Sequence, residues 1–281
     1  MNAKLSIAVA VAFVIVLASA QENVRAHGTA LPQGVSRELI RNPRFQGGFT
    51  LLDPAPGKKV RRGTLVPHDA GAKPAWEMAQ WSSKHPLTEG APQQLTGGGL
   101  RWANEAKAIT LGPVTNASSD LALAVNASAE YGSRARRKGE PWVHLLVEQP
   151  FNDPPVLAGL VEARLHAEAR LLRSKCVRTD DYTPGLHAAQ FQIFFTLQNL
   201  NRQSGGYGRY LWFGVPIYDD RRRVPFAHRR ATWGARGCSS SLPAGKPTPA
   251  KVRTMGHGSP LTATCFRSCA RRWKRHGSAV S

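Results

Sequence analysis

The chain has 281 residues, 38 Lys and Arg against 18 Asp and Glu, and a formal net charge of +20. A hydrophobic fraction of 42% is enough to build a core, which argues against a wholly disordered chain, and too low for a multi-span membrane protein. Fourteen of the basic residues and none of the acidic ones lie in 221–281, so residues 1–220 carry only +6 and the excess belongs to the tail.

Residues 1–20 read as a signal peptide. Lys4 supplies the positive start, Leu5–Leu17 is an apolar run too short to span a bilayer comfortably, and Ala18-Ser19-Ala20 is a small-x-small cleavage site. The mature chain is therefore expected to be secreted or periplasmic. Residues 21–40 read as a linker. Export permits disulfides, but Cys176 stands alone in the body while Cys238, Cys265 and Cys269 sit in the tail. The Cys265-x3-Cys269 spacing is not that of a zinc site.

From 41 to 230 the pattern is period two. Strands are expected over 49–52, 59–66, 75–81, 100–102, 108–111 and 121–125, then over 142–149, 161–172, 189–198 and 210–218. The clearest is 161–172, where Val161, Ala163, Leu165, Ala167, Ala169 and Leu171 alternate with Glu162, Arg164, His166, Glu168 and Arg170. Asp53-Pro54, Gly97-Gly98-Gly99, Asn152-Asp153-Pro154-Pro155 and Gly205-Gly206 punctuate the strands. No convincing helix appears in 21–220. About ten alternating strands predict an all-β fold, an antiparallel two-sheet β-sandwich of jelly-roll type, followed by a poorly structured basic tail over 231–281.

That tail has no acid and no periodicity. One reading is a disordered basic segment that binds an anionic surface or nucleic acid; another is a slipped coding frame. Read two bases later, with third bases chosen freely, the codons from Gly237 can spell LFIFTPGGEAYTGQSAHDG and then a charge-balanced amphipathic helix. Nucleic acid is expected as a partner only if the tail is native.

The polar strand faces are the candidate site. Trp142, His144, Arg164, Glu168, Gln190, Gln192, Gln198 and Tyr207 are the expected ligand-binding residues. Amides and carboxylates fork onto vicinal hydroxyls, and aromatic faces stack on pyranose rings. Glu148, Glu162 and His166 are the expected catalytic residues if the protein is an enzyme, because hydrolysis needs two carboxyls flanking the bond and a lyase needs a base such as His144, His166 or His187. Glu162 and Glu168, six apart on one strand, are too distant to cooperate, so a cross-strand pair is preferred. Trp76 and Trp81, five apart, should face opposite sides, one in the core and one on the surface. No cofactor is expected. Calcium is the one ion for which loop oxygens are offered, by Asp180-Asp181 and Asp219-Asp220, although paired aspartates serve more simply as turn formers. No membrane insertion is expected after signal cleavage.

The strand set, the export signal and the run AAQFQIFFTLQNLNRQSGGYGRYLWFGVPIYDD together resemble secreted bacterial sandwich proteins of the lectin and glucanase-like class, with concanavalin-type jelly rolls. The resemblance covers roughly residues 40–225 and is one of pattern. It implies a carbohydrate-binding extracellular protein, with glycoside hydrolase or polysaccharide lyase activity on the same fold as the alternative.

Overall fold

The computed structural model describes residues 3–10, 14–16, 37–67, 73–113, 120–132, 134–155, 163–222, 228–232, 239–240 and 260–264. Side chains are not described for 3–10, 14–16, 228–232, 239–240 and 260–264, nor at 164, 166, 168, 170, 210–213 and 215.

Strands dominate. In chain order they are β1 (Ala3–Ala10), β2 (Val14–Val16), β3 (Phe49–Ala55), β4 (Lys58–Leu65), β5 (Trp76–Ala79), β6 (Gln93–Gln94), β7 (Leu100–Ala103) and β8 (Lys107–Leu111). There follow β9 (Asp120–Val125), the single-turn helix α1 (Ala127–Tyr131), β10 (Leu146–Pro150), β11 (Arg164–Arg170), β12 (Gln190–Asn199), β13 (Tyr210–Asp219), β14 (His228–Thr232), β15 (Ser239–Ser240) and β16 (Pro260–Thr264). All ten expected strands in the body are present, so the fold is all-β.

Two sheets form. A nine-stranded sheet runs β15-β14-β13-β12-β1-β10-β5-β3-β4, and a seven-stranded sheet runs β16-β11-β2-β9-β8-β7-β6. Alternation decides which side chains go inward. Along β12, Phe191, Ile193, Phe195 and Leu197 are buried while Gln192, Phe194, Thr196 and Gln198 are only half-buried. One hydrophobic cluster draws on both sheets: Phe49, Leu51, Met78, Val147, Phe191 and Ile193 from the nine-stranded sheet meet Trp102, Ile109, Leu111, Leu121 and Leu123 from the seven-stranded one.

Four features go beyond the sequence reading. First, β3 pairs with β5 in parallel, Phe49 opposite Trp76, in an otherwise antiparallel set among the described pairings. The β3–β4 hairpin places β4 at the edge, and the chain after it returns to the starting end of β3. Second, helix α1 exists, one turn long and therefore without a periodicity to read; the Asn126 side chain caps it by accepting from the Ser128 N–H at 3.2 Å. Third, the tail is not wholly irregular: Ser239–Ser240 pairs with β14, and Pro260–Thr264 pairs with β11. The open edges of β14 and β11 supply unpaired backbone groups that recruit these segments. Fourth, the apolar run read as a leader is paired inside both sheets. Ala3–Ala10 lies between β12 and β10, and Val14–Val16 lies between β11 and β9.

Gly48 shows how closely the chain entering β3 approaches the end of β4. Its φ is +71°, and a Cβ there would run into the Leu65 carbonyl oxygen. Gly48→Ala is expected to destabilise the protein by more than about 1 kcal/mol, from left-handed strain plus the clash. A denaturant midpoint unchanged by the substitution would contradict this reading.

Candidate functional site

The face of the nine-stranded sheet turned away from the main core gathers four of the eleven expected residues on its strands, Glu148, Gln190, Gln192 and Gln198. On β12 the residues opposite in parity to the core set are Gln190, Gln192, Phe194, Thr196 and Gln198. On β10 Val147 joins the main core, whereas Leu146 joins a small second cluster with Leu52, Ala79 and Trp81. Glu148 shares the parity of Leu146. Pairing aligns these positions in rows. Glu148 stands opposite Glu77 of β5 on one side and Ala8 of β1 on the other, and Ala8 stands opposite Phe194. One step along, Leu146 stands opposite Ala79 and Ala10, and Ala10 opposite Gln192. Two strand spacings, about 10 Å, separate the β10 row from the β12 row.

Glu148 is the centre of this face. It is buried, and the Lys59 ammonium, reaching over from β4, donates to its carboxylate. The same ammonium lies 3.6 Å from the Glu77 carboxylate and 5.9 Å from the centroid of the Trp81 ring. Burial pushes the Glu148 carboxyl above the usual carboxylate range; Lys59 opposes the shift and the neighbouring Glu77 adds to it. The result is an acid that holds its proton longer than an ordinary glutamate, directly across the strands from a second carboxyl.

Trp142 and His144 continue the β10 line beyond its first residue. The His144 N–H donates to the Trp81 carbonyl at 3.1 Å, which fixes that approach. Trp142 is 36% exposed, and the Arg136 guanidinium stacks 4.4 Å from its ring centroid. Arg136 is itself buried and donates to the Leu186 carbonyl at 2.9 Å and the Glu140 carbonyl at 2.5 Å. The indole is therefore backed on one side by a fixed cation.

On β12, the exposed Gln190 donates to Asp219 at 2.8 Å. The Gln192 amide oxygen is buried without a hydrogen-bond donor among the described residues. It lies beside Gly214, where a Cβ would sit 2.8 Å from the Phe194 ring and 3.3 Å from that oxygen. Only glycine leaves room for the ring there.

Other expected residues fall elsewhere. Tyr207 is 51% exposed in the loop after β12, about 30 Å along the strand from Gln190. Arg164, His166 and Glu168 lie on β11, which belongs to the seven-stranded sheet, so they do not share a sheet with Glu148 or the β12 amides. Their side chains, and the whole of Glu162, lie outside the described residues. A Glu148–Glu162 pair thus lies outside the described residues; among those that are described, the carboxyl opposite Glu148 is that of Glu77. His187 is engaged at both ring nitrogens: Nδ1 accepts from the Thr183 N–H at 2.8 Å, so Nε2 carries the proton and donates to the Arg136 carbonyl at 2.8 Å. That arrangement leaves no lone pair for a base.

Two of the aspartates offered to calcium, Asp219 and Asp220, have other partners. Asp219 takes Arg221 in a two-pronged pair at 2.7 and 2.8 Å, which, with Gln190, holds its carboxyl far below the usual range. Asp220 accepts from the Ala189 N–H at 3.0 Å. Trp76 and Trp81 do face opposite ways, but both are buried, because Trp81 is covered by the second cluster and not by solvent.

Sequence reasoning missed Glu77 and Lys59. Glu77 sits between two tryptophans that drew the attention, and its pairing with Glu148 is fixed by a strand order that no local pattern encodes. Lys59 lies in a run of exposed cations on an edge strand, where such charges ordinarily guard against edge-to-edge association.

The fold and the face define a class only: an all-β protein with a polar, aromatic-flanked sheet surface holding a paired acid. No family model, curated protein or solved structure matches the chain.

Proposed function

We propose that the chain is a secreted carbohydrate-binding protein whose two sheets stack as a jelly-roll sandwich and whose ligand lies on the outer face of the nine-stranded sheet. The observation that carries this reading is the shared face of Glu148, Gln190, Gln192 and Gln198, entered past the exposed Trp142. Amide and carboxyl groups in rows about 10 Å apart suit a sugar ring. A backed indole suits stacking on its C–H face. A buried amide oxygen with no donor, as Gln192 has among the described residues, costs about 1–3 kcal/mol, a cost that a hydroxyl donor relieves once the amide turns outward.

Titration of purified chain with soluble polysaccharides checks this. Trp142→Ala and Gln192→Ala are each expected to weaken glycan binding about tenfold with the fold intact. Binding that falls steeply with salt and disappears when 231–281 is removed would instead favour the anionic-surface or nucleic-acid reading.

The Glu148–Glu77 pair favours a second reading, a glycoside hydrolase on the same fold. Directly opposed residues have Cβ atoms about 4.5–5.5 Å apart, close to the roughly 5–5.5 Å carboxyl spacing of retaining hydrolysis. In that reaction Glu148 gives its proton to the glycosidic oxygen, Glu77 attacks the anomeric carbon, and water then releases the sugar. New reducing ends from a polysaccharide separate the two readings.

A further inference from the structure

We propose that the loop over 171–178, between β11 and β12, is a docking surface for an anionic phospholipid bilayer, with Leu172 and Val177 entering the acyl boundary and Arg173, Lys175 and Arg178 meeting the headgroup phosphates. The proposal depends neither on the glycan reading nor on the basic tail.

The segment joins the two sheets, leaving β11 at Arg170 and reaching β12 at Gln190. Every residue from Leu171 to Asp180 is exposed. Residues 171–178 form no hydrogen bond with another described residue, and backbone bonding resumes where the Tyr182 N–H donates to the Thr179 carbonyl at 2.9 Å. From Ala169 to Thr179 the sequence has four basic residues and no acidic one. Among the described residues no carboxylate forms an ion pair with Arg173, Lys175 or Arg178.

Apolar side chains stand between those cations. Leu171 is 38% exposed, Leu172 56% and Val177 63%, and they are three of the seven large hydrophobics exposed among the described residues. Single exposed leucines are ordinary on a protein surface; three such side chains within seven residues, in a stretch that packs on nothing, mark an interaction site.

The loop is held at its far end. The Arg178 guanidinium lies 5.3 Å from the centroid of the Tyr182 ring, that ring lies 5.6 Å from the ring of His187, and His187 Nε2 donates to the Arg136 carbonyl at 2.8 Å. Arg136 donates in turn to the Leu186 carbonyl. The following Arg137 and Lys138 are exposed beside this tie and add two cations. Residues 178–187 are thus fixed to the body, while 171–177 remain in solvent.

The chemistry selects the occupant. Cations interleaved with aliphatic side chains suit a surface that offers phosphate at one depth and hydrocarbon about 5–10 Å below it. A soluble polyanion would engage the cations and leave the leucines and the valine in water. A second copy of this chain would set like charges against each other.

The test uses the full chain with vesicles of phosphatidylcholine, alone or mixed with phosphatidylglycerol. Co-sedimentation is expected with the anionic vesicles only. Each Lys or Arg near such a surface changes partition about fivefold, so Arg173→Gln, Lys175→Gln and Arg178→Gln combined should weaken it about hundredfold. Leu172→Ser with Val177→Ser should weaken it about tenfold. Both sets lie at exposed positions and should leave the denaturant midpoint unchanged. A local reporter separates the loop from the tail: in a chain carrying Cys238→Ser, Cys265→Ser and Cys269→Ser, a polarity-sensitive dye on the exposed Cys176 is expected to shift to the blue on anionic vesicles and to be quenched by nitroxide lipids. Should that triple variant not fold, sedimentation of the unlabelled chain and its loop variants decides alone. Sedimentation indifferent to the loop substitutions, or a dye that stays in water on bound vesicles, would overturn the proposal. So would an equal dye response to a soluble polyuronate that the serine pair leaves unchanged, which would assign the loop to an acidic glycan.

Discussion

Glu130→Ala is expected to cost about 3–5 kcal/mol of stability. Lys107 occupies a core-facing position of β8, in line with Ile109 and Leu111, and its side chain and that of Glu130 on α1 are both 0% exposed. The Lys107 ammonium donates to the Glu130 carboxylate. That carboxylate also accepts from the Ser83 hydroxyl and the Lys84 N–H, each at 2.7 Å. Burial alone would raise the Glu130 carboxyl, but these donors outweigh it and hold the group below its ordinary value. Removing the acid strands an ammonium in the core with Ser83 and a distant His85 carbonyl as its remaining partners. Two consequences separate this from simple cavity formation. Lys107→Met combined with Glu130→Ala should be less destabilising than Glu130→Ala alone, because no charge is left behind. The parent protein should also lose stability as pH falls through the depressed Glu130 value, since a group whose folded pKa is lowered stabilises above its unfolded value. Urea denaturation of the parent and both variants from pH 3 to 7 reads both. A Glu130→Ala loss under 1 kcal/mol, or a double variant no better than the single one, would contradict the argument.

The body strands were legible because burying one face of a strand writes period two into the chain; β12 is the plain case, Phe191 to Leu197 inward and Gln190 to Gln198 outward. The same period says nothing about which sheet a strand joins. β11 alternates as cleanly as β12 yet lies in the other sheet, so a groove joining Arg164, His166 and Glu168 to the β12 amides did not follow. Long-range pairing makes that choice, and it likewise placed Glu77 opposite Glu148. The Lys107–Glu130 pair was hidden for a related reason: a lysine in an apolar strand reads as solvated until a helix of one turn, too short to announce itself, brings it a partner. Leu5–Leu17 was ambiguous in principle, since an apolar run of a dozen residues satisfies both a leader and an interior strand.

Glu148→Gln is expected to leave the protein at least as stable as the parent at neutral pH while separating binding from chemistry. A carboxyl whose folded pKa is raised binds its proton more tightly in the folded state, so its presence costs stability as pH rises from the ordinary carboxylate value through the raised one. Glutamine, neutral and of the same shape, carries no such cost. The stability gap in favour of the variant should widen across that window by at most about 1.4 kcal/mol per pH unit and then level off. Lys59→Met should act in the opposite direction, because the cation that donates to Glu148 opposes the rise of that carboxyl; its destabilisation should grow with pH. Glutamine also reproduces the protonated acid as a hydrogen-bond donor. Glycan affinity should therefore survive Glu148→Gln and fall about tenfold in Glu148→Ala. If the protein hydrolyses its ligand, turnover should fall by at least about 100-fold in the glutamine variant at unchanged affinity, since that variant has no proton to give. Thermal melts from pH 4 to 8 with parallel titration and reducing-end assays read all of these. A glutamine variant less stable than the parent at pH 7, with a gap indifferent to pH, would mean that Lys59 holds Glu148 as an ordinary buried ion pair and that the face has no acid to offer.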